Sequence, residues 1–295
     1  MFERRLLKIN GVRMAMVFVV VLFARGCQPP TDAAGLLAPE PAVERPVVSD
    51  ADQQDVDEQY VLLVRLHIVA IEVPVGQASL SRDLWRHIDE EAVRALRNPL
   101  LGLNGVRAGL GRADTWPDVA EVLKALTGRR LSESAAVVLP GNPMPIALKI
   151  EQPRETLFVF DIERRPVGLD YPAGDHLLTV VCTLNEDDPS QVLMQAIPQV
   201  RSSKRTTHFR EQEGRLMMVA EPDLITLDSL AVQAMVPAGD FLVFGPGMAS
   251  DRTSSVGHAF FIKERKGMEF ETLVVLRPEV FATTVRTPNP AGAIR

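Results

Sequence analysis

The sequence has little cysteine and few aromatic residues. Two cysteines among 295 residues exclude a fold built on several disulfides and a cysteine-rich zinc site. Aromatic residues make up only 5% of the chain, whereas strands that face lipid need aromatic side chains at both membrane interfaces. The hydrophobic share of 46% and the charged share of 24% exclude a wholly disordered chain, a collagen-like fibre and a coiled coil.

The sequence also lacks every motif that would specify a reaction. It contains no H-E-x-x-H, C-x-x-C, G-x-S-x-G, P-loop or EF-hand pattern, and the glycines of residues 105–111 lack the dinucleotide-binding spacing. No histidine lies four residues from another one. A metal site could still be assembled in three dimensions from the neighbours Asp175 and His176 with the distant His258, but acid–histidine neighbours are common by chance. We therefore expect no catalytic residue, no cofactor and no metal site.

The first 26 residues have the layout of an export signal. Four basic residues within residues 4–13 precede an apolar run at residues 14–23. Ten helical residues span about 15 Å, half the hydrocarbon thickness of a bilayer, so the run predicts a signal peptide rather than a permanent span. Ala24 and Gly26 are small, which predicts cleavage before Cys27.

A cysteine at the first mature position resembles the signal of bacterial lipoproteins, in which this cysteine carries the lipid. The resemblance implies lipid attachment at Cys27, contact with a membrane, and an exported protein that faces the periplasm in the cell envelope. Ala24 and Arg25 depart from the pattern, because lipoproteins have Leu and a small residue there. Export without a lipid and a short uncleaved anchor remain as alternatives.

Removal of the signal would leave an acidic chain. The remaining 27 basic and 37 acidic residues give a net charge of −10, which argues against nucleic acid as a partner. Residues 27–58 contain five prolines and eight acidic residues against one basic residue, so they predict a disordered Pro/Ala/acidic tether. Cys182 lies in the apolar run LLTVVCTL and is expected to be buried, which argues against a disulfide with Cys27.

The remainder predicts an α+β protein, with a small β-α-β-α unit followed by an antiparallel β-rich sandwich or open sheet. The unit covers residues 59–143. Its first elements are a central strand at 60–74 with a structural His67 and a helix at 80–97, capped by Ser79 or Ser81, with Trp85 in the core. They are followed by a short strand at 102–113, a helix that begins near Trp116 and ends at Gly128, and a strand near 134–150.

Residues 144–284 predict the β-rich domain, because short apolar runs alternate there with turn residues. Residues 186–188 predict a solvated acidic turn. The basic stretch RSSKRTTHFR, residues 201–210, predicts the tip or edge of a long hairpin, either as a protected edge or as a site for an anionic partner. Residues 285–295 predict a disordered tail.

Three segments of this region resemble the core of the secretin family, the ring-forming outer-membrane channels of secretion and pilus systems. They are VLMQAIPQVRSSKRTTHF at 192–209, DSLAVQAMVPAGDFLVFGPG at 228–247 and ETLVVLRPEV at 271–280. The chain departs from the family in having Gly-Pro-Gly at 245–247 instead of Gly-Gly. It also has one preceding α/β unit instead of several ring-building modules.

The resemblance implies a secretin-like β domain whose edge strands pair between subunits. We therefore expect a non-enzymatic, lipid-anchored envelope protein that assembles through β edges with itself or with a secretion- or pilus-type complex. The alternative is a periplasmic enzyme or small-ligand-binding protein, whose site would be a pocket lined by polar groups from distant parts of the chain.

Overall fold

A single long strand, β1, lies at the centre of the fold. The computed structural model describes residues 58–93, 98–212 and 214–286. The predicted signal peptide, Cys27, the tether up to residue 57 and residues 287–295 lie outside this part of the chain. Strand β1 covers Glu58–Pro74 and is hydrogen-bonded along its whole length to the last strand, β14, which covers Met268–Arg286.

Strand β1 has the composition of a central strand, and each of its faces packs against a core over part of its length. Val64 and Leu66 face one hydrophobic core, and Val69, Ile71 and Val73 face a second core on the opposite side. This division follows from the two-residue period of side chains along a strand.

Seven strands form the first sheet, sheet A, in which the order is β2-β3-β12-β14-β1-β4 and β13 pairs with one end of β14. All of these pairs are antiparallel. Besides β1 and β14, the strands are β2 (Ile88–Asp89), β3 (Val106–Gly111), β4 (Glu133–Val138), β12 (Phe241–Pro246) and β13 (Ile262–Arg265).

Five strands form sheet B in the order β10-β9-β8-β5, and β11 pairs with β9. They are β5 (Pro143–Gln152), β8 (Gly174–Leu184), β9 (Val192–Gln212), β10 (Arg215–Thr226) and β11 (Val232–Val236). A separate hairpin consists of β6 (Glu155–Phe160) and β7 (Pro166–Tyr171).

Two cores hold these layers together. The larger core contains side chains from both sheets, including Leu276 of sheet A and Met194 of sheet B, which makes this part of the chain a β-sandwich. The smaller core lies on the other face of sheet A and includes Val119 and Leu123 of α3. The helices are α1 (Arg82–Trp85), α2 (Asn98–Leu103), α3 (Trp116–Thr127) and α4 (Val256–Phe261).

Helix α3 agrees with its sequence pattern. Pro117 lies in its first turn, and Gly128 ends it with a left-handed φ of 63°. Trp85 is buried as expected, and its indole N–H donates to the carbonyl of Ala78. In residues 58–93, 98–212 and 214–286, no helix is long and apolar enough to cross a membrane.

The predicted α+β class is wrong, because the described chain is mostly β and contains no β-α-β-α unit. The predicted strand near 134–150 is two strands, and these belong to different sheets. Sheet A takes strands from both sides of residue 143, so the elements that we expected in a separate unit pair directly with β12 and β14. The sandwich expected for the β-rich part is present.

The predicted helix at 80–97 is also wrong. Of the two expected caps, Ser81 starts a helix, since its hydroxyl accepts the N–H of Leu84, but α1 ends at Trp85. Ile88 and Asp89 then pair with β3, and a carboxylate oxygen of Asp89 accepts the N–H groups of Glu91 and Ala92. These side-chain hydrogen bonds replace the helical ones, which is how aspartate interrupts a helix.

Candidate assembly interface

Strands β9 and β10 extend beyond the rest of sheet B as a two-stranded ribbon. Strand β9 pairs with β8 as far as Ser202, the N–H of Ser203 still donates to the carbonyl of Ala173, and residues 205–212 pair with β10 alone. The basic stretch at 201–210 forms the β9 side of this ribbon. Arg201 at its base binds Asp175 at 2.6 Å, while Lys204 and Arg205 are exposed. The predicted edge location is therefore correct, but these residues form a strand and not a turn.

Both faces of the ribbon expose apolar side chains. On one face Phe209 lies opposite Met218, next to Leu216, and these three side chains are 70%, 71% and 72% exposed, while Glu211 lies opposite Leu216. The other face carries Met217, which is 49% exposed, and the Arg210–Glu221 pair at 3.2 Å. Folding exposes a contiguous apolar strip here, and such strips mark contact surfaces in proteins.

The outer edge of β10 has no pairing strand within the described chain. Its residues 216–220 read LMMVA and contain neither a charge nor a proline. Their register with β9 is regular as far as Pro222, where it shifts. An exposed, uncharged strand edge is a template for pairing with another strand, because its backbone N–H and C=O groups have only water as partners.

Two other outer strands carry protection, whereas β4 of sheet A and β11 of sheet B do not, since residues 134–138 and 232–236 contain neither a charge nor a proline. Strand β5 contains Pro143 and Pro145 and has irregular pairing beyond Ala147, and β13 carries Lys263 and Arg265. Prolines, bulges and charged side chains are the devices by which proteins prevent edge pairing. The apolar segment of β10 itself has none of the three, although Glu221, Pro222 and a register shift follow it directly, so it is one of several uncharged edges in the described chain.

Strand β1 offers a second open stretch. Its pairing with β4 begins at Val64, so residues 58–63 are paired with β14 on one side and have no described strand on the other. Tyr60 and Leu62 lie in this stretch and are 73% and 39% exposed. The described chain therefore has open edges in both sheets.

His67 lies in a polar network on β1, β4 and β14. Its Nδ1 is 2.6 Å from Glu133 and its Nε2 is 3.0 Å from Glu279. Arg277 binds Glu133 at 3.0 Å, and Arg65 binds Glu279 at 3.0 Å. The hydrogen bonds from His67 and from Arg65 lower the pKa of Glu279.

A cleft of about 600 Å³ adjoins this network, between His67, Trp116 and Gly239. Its charged groups already bind one another, and the guanidinium of Arg277 lies over the Trp116 ring. The cleft therefore offers few free polar groups of the kind that the alternative function, ligand binding, requires.

Asp175, His176 and His258, which the sequence offered as a possible metal site, each bind a different group of the protein. Asp175 accepts hydrogen bonds from the Glu151 N–H and from Arg201, which lower its pKa. The Nδ1 of His176 is 2.8 Å from the Ala259 carbonyl, and the Nδ1 of His258 is 3.0 Å from the Ser250 carbonyl. Within the described ranges, no three His, Cys, Asp or Glu side chains converge on a common metal position.

Cys182 and the acidic turn are located where the sequence indicated. Cys182 is a free, buried cysteine of β8, and burial raises the pKa of its thiol to about 11. In the turn, Asp188 accepts hydrogen bonds from the backbone and hydroxyl of Ser190 and from Gln191, which lower its pKa.

The sequence identified the run RLMMVAE only as a strand. Its role as an uncovered edge depends on which strands pair, and local sequence does not contain that information. The absence of charge in residues 216–220 was the one available signal.

Comparisons with known proteins give no family assignment. No protein-family model matches the chain, and no curated protein matches it. Solved structures of the secretin InvG from the Salmonella SPI-1 injectisome are weakly similar, at 11% identity over 81% of this chain. The InvG secretin domain has a TM-score of 0.17 with 66% of its length covered. InvG alone and InvG with PrgH and PrgK have TM-scores of 0.14, with 68% and 48% covered. TM-scores this low do not establish membership of the secretin family.

Proposed function

We propose that this chain is a non-enzymatic envelope protein that assembles through β edges, either with further copies of itself or with a secretion- or pilus-type complex. The observation that supports the proposal most strongly is the unprotected edge of β10 at residues 216–220. Soluble proteins rarely leave such an edge open, because it promotes aggregation unless a partner covers it.

A partner strand would add to β10 by main-chain hydrogen bonds. The apolar strip formed by Phe209, Leu216 and Met218 would then be covered by side chains of the partner. The open stretch of β1 at residues 58–63 belongs to the other sheet, so one copy could contribute β10 and the next could contribute β1. Contacts between unlike edges generate rings or filaments, depending on whether the rotation between copies closes.

The proposed location rests on the amino-terminal sequence. A lipid on Cys27 would hold the protein on a membrane, and residues 28–57 would separate the folded part from it. An extended chain of that length reaches at most about 100 Å. Substitution Cys27→Ser tests the anchor directly. We expect the variant to move from the membrane fraction to the soluble fraction, and unchanged membrane partitioning would contradict lipidation.

The assembly itself is tested by the mass of the detergent-extracted full chain, measured by native mass spectrometry. We expect the wild type to form oligomers or to remain bound to envelope proteins. Met218→Lys and Leu216→Lys place a charge on the open edge and should dissociate these complexes.

The matched control is Met248→Lys, since Met248 is 83% exposed and lies outside the ribbon. This variant should retain the wild-type mass. A monomeric wild type, or an oligomer that persists in both ribbon variants, would contradict the proposal.

A further inference from the structure

The apolar segment of β10 has opposite charges at its two ends. Residues 215–221 read RLMMVAE, so Arg215 precedes the five uncharged residues and Glu221 follows them. The two side chains lie on the same face of the strand, because an even number of residues separates their positions, and about 20 Å of strand lies between them. They therefore cannot pair with each other within one copy.

Both ends of this segment also limit how far a partner strand can pair with it. Gly214, directly before it, has a left-handed φ of 74°, and β10 starts at the next residue. At the other end Pro222 has no backbone N–H, and the register of β10 with β9 shifts there. A strand added to the outer edge therefore has residues 215–221 available.

Antiparallel pairing of two copies of this segment matches every position. With Met218 opposite Met218 of the second copy, Arg215 of each copy lies opposite Glu221 of the other. The residues between them pair apolar with apolar, 216 with 220 and 217 with 219. Residues directly opposite each other in an antiparallel pair lie on the same face about 5 Å apart, so the opposite charges at both ends attract.

Other arrangements of the same edge lose these pairs. In a parallel pair, like charges would lie side by side. In the antiparallel pair, a shift of two residues either takes Glu221 past the end of the partner segment or places Leu216 opposite Pro222. The open stretch of β1, residues 58–63, carries only Glu58 and so can match only Arg215. A second copy of β10 is therefore the partner that fits both ends.

The pairing also continues contacts that the ribbon already makes. Phe209 lies opposite Met218, so the joined strands place these two side chains of both copies in one apolar row. On the other face, Arg210 binds the Oε2 of Glu221 at 3.2 Å, and a carboxylate has a second oxygen that can accept from Arg215 of the second copy. The contact thus requires no ion pair of the single copy to break.

We propose that β10 of one copy pairs antiparallel with β10 of a second copy, centred on Met218, in a contact with twofold symmetry. The inference rests on the proposed function, since it names the partner of the open β10 edge. Such a contact uses the same surface of both copies and closes at two copies. Larger assemblies would need a further contact, and the open stretch of β1 is available for one.

Complementary charge reversals test the pairing in the detergent-extracted full chain. Arg215→Glu gives a segment with acidic residues at both ends, and Glu221→Arg gives one with basic residues at both ends. Each variant alone should raise the dissociation constant of the dimer by about tenfold or more, because both cross-strand pairs become repulsive. An equimolar mixture should show mixed dimers in native mass spectrometry, since each acidic end then meets a basic one. Arg130→Glu, at an exposed position outside the ribbon, should dimerise like the wild type.

Disulfide cross-linking tests the register. In the Cys27→Ser background, Met218→Cys places the thiols of two copies opposite each other, with about 5 Å between Cα atoms, which is within the range of a disulfide. Leu216→Cys is the matched control, because 216 and 218 are 72% and 71% exposed, but residue 216 lies about 13 Å along the strand from its counterpart. We expect an oxidised dimer from the first variant and none from the second.

The outcomes separate this inference from the proposed function. A monomeric wild type contradicts both. Three results would overturn the twofold pairing alone and leave assembly through another edge or partner in place. They are a wild type that binds another envelope protein but no second copy, charge-reversal variants whose mixture forms no more dimer than either alone, and equal cross-linking of the two cysteine variants.

Discussion

A carboxylate oxygen of Glu155 lies 2.9 Å from the Nε2 of the buried His176. The other ring nitrogen of His176 faces the carbonyl of Ala259, and the ring stacks on Phe260 with 4.6 Å between centroids. Since a carbonyl only accepts, Nδ1 carries a proton. The contact joins β6, β8 and α4.

Replacing His176 should therefore destabilise the fold. His176→Phe keeps an aromatic ring but removes the donor to the Ala259 carbonyl and the side chain that Glu155 contacts at 2.9 Å. We expect a loss of about 2–3 kcal/mol in the free energy of unfolding, measured by urea denaturation. His208→Phe, at an exposed position of the ribbon, is the control and should change little. Equal stability of the two variants would show that the buried contact contributes nothing.

Glu279 should make the stability depend on acid pH. Its pKa is lowered by His67 and Arg65, so its contribution is complete above the unfolded value of about 4.3 and disappears as the pH falls through its lower folded value. Glu279→Gln removes this term. The difference in Tm between wild type and variant should be largest near neutral pH and should shrink below about pH 4.

Glu121→Gln is the control for this prediction, because Glu121 is exposed on α3 and has no ion-pair partner among the described residues. Its Tm difference from the wild type should not vary in the same way with pH. A Glu279→Gln difference that is constant from pH 7 to acid pH would refute the role assigned to the network.

Gly257 should not tolerate a side chain. A Cβ at this position would lie 1.7 Å from the carbonyl oxygen of Gly105, because α4 begins directly against the turn before β3. Gly257→Ala should cost about 3 kcal/mol or more, since backbone must move to make room. Gly102→Ala meets no atom within 4 Å and is the matched control. Thermal unfolding should give a clearly lower Tm for Gly257→Ala than for Gly102→Ala. Similar Tm values would contradict the close contact between α4 and the turn before β3.

Cys182 should be chemically silent in the folded protein. Burial raises the pKa of its thiol to about 11, and only the thiolate reacts readily with disulfide reagents. In the Cys27→Ser variant, where Cys182 is the one remaining thiol, labelling at pH 8 should be negligible for the native protein and complete in urea. Rapid labelling without denaturant would contradict the burial of β8 in the sandwich core.

The sequence correctly predicted the elements whose signal lies within a short stretch of residues. Helix α3 has its proline at the start and its glycine at the end, and β1 has the apolar run of a central strand. The prediction of a long helix after Ser81 was wrong, because Asp89 forms side-chain hydrogen bonds that helical periodicity does not reveal. The antiparallel contact of β1 with β14 joins residues about 200 positions apart, and neither strand contains a local signal for it.

The candidate interface also combines a local signal, which the sequence shows, with long-range pairing, which it does not show. Residues 216–220 were recognisable as an apolar strand, but their exposure depends on the absence of a strand beside β10. The sequence therefore indicates that these residues form a strand, and long-range pairing decides whether the edge of that strand is exposed.

Hydrogen exchange of the full chain, compared between its assembled and dissociated forms, tests edge pairing most directly. Assembly through β10 predicts that the backbone amides of residues 215–221 exchange more slowly in the complex, while those of the protected edge β5 exchange at the same rate in both forms. Equal exchange of residues 215–221 in the two forms would contradict assembly through this edge.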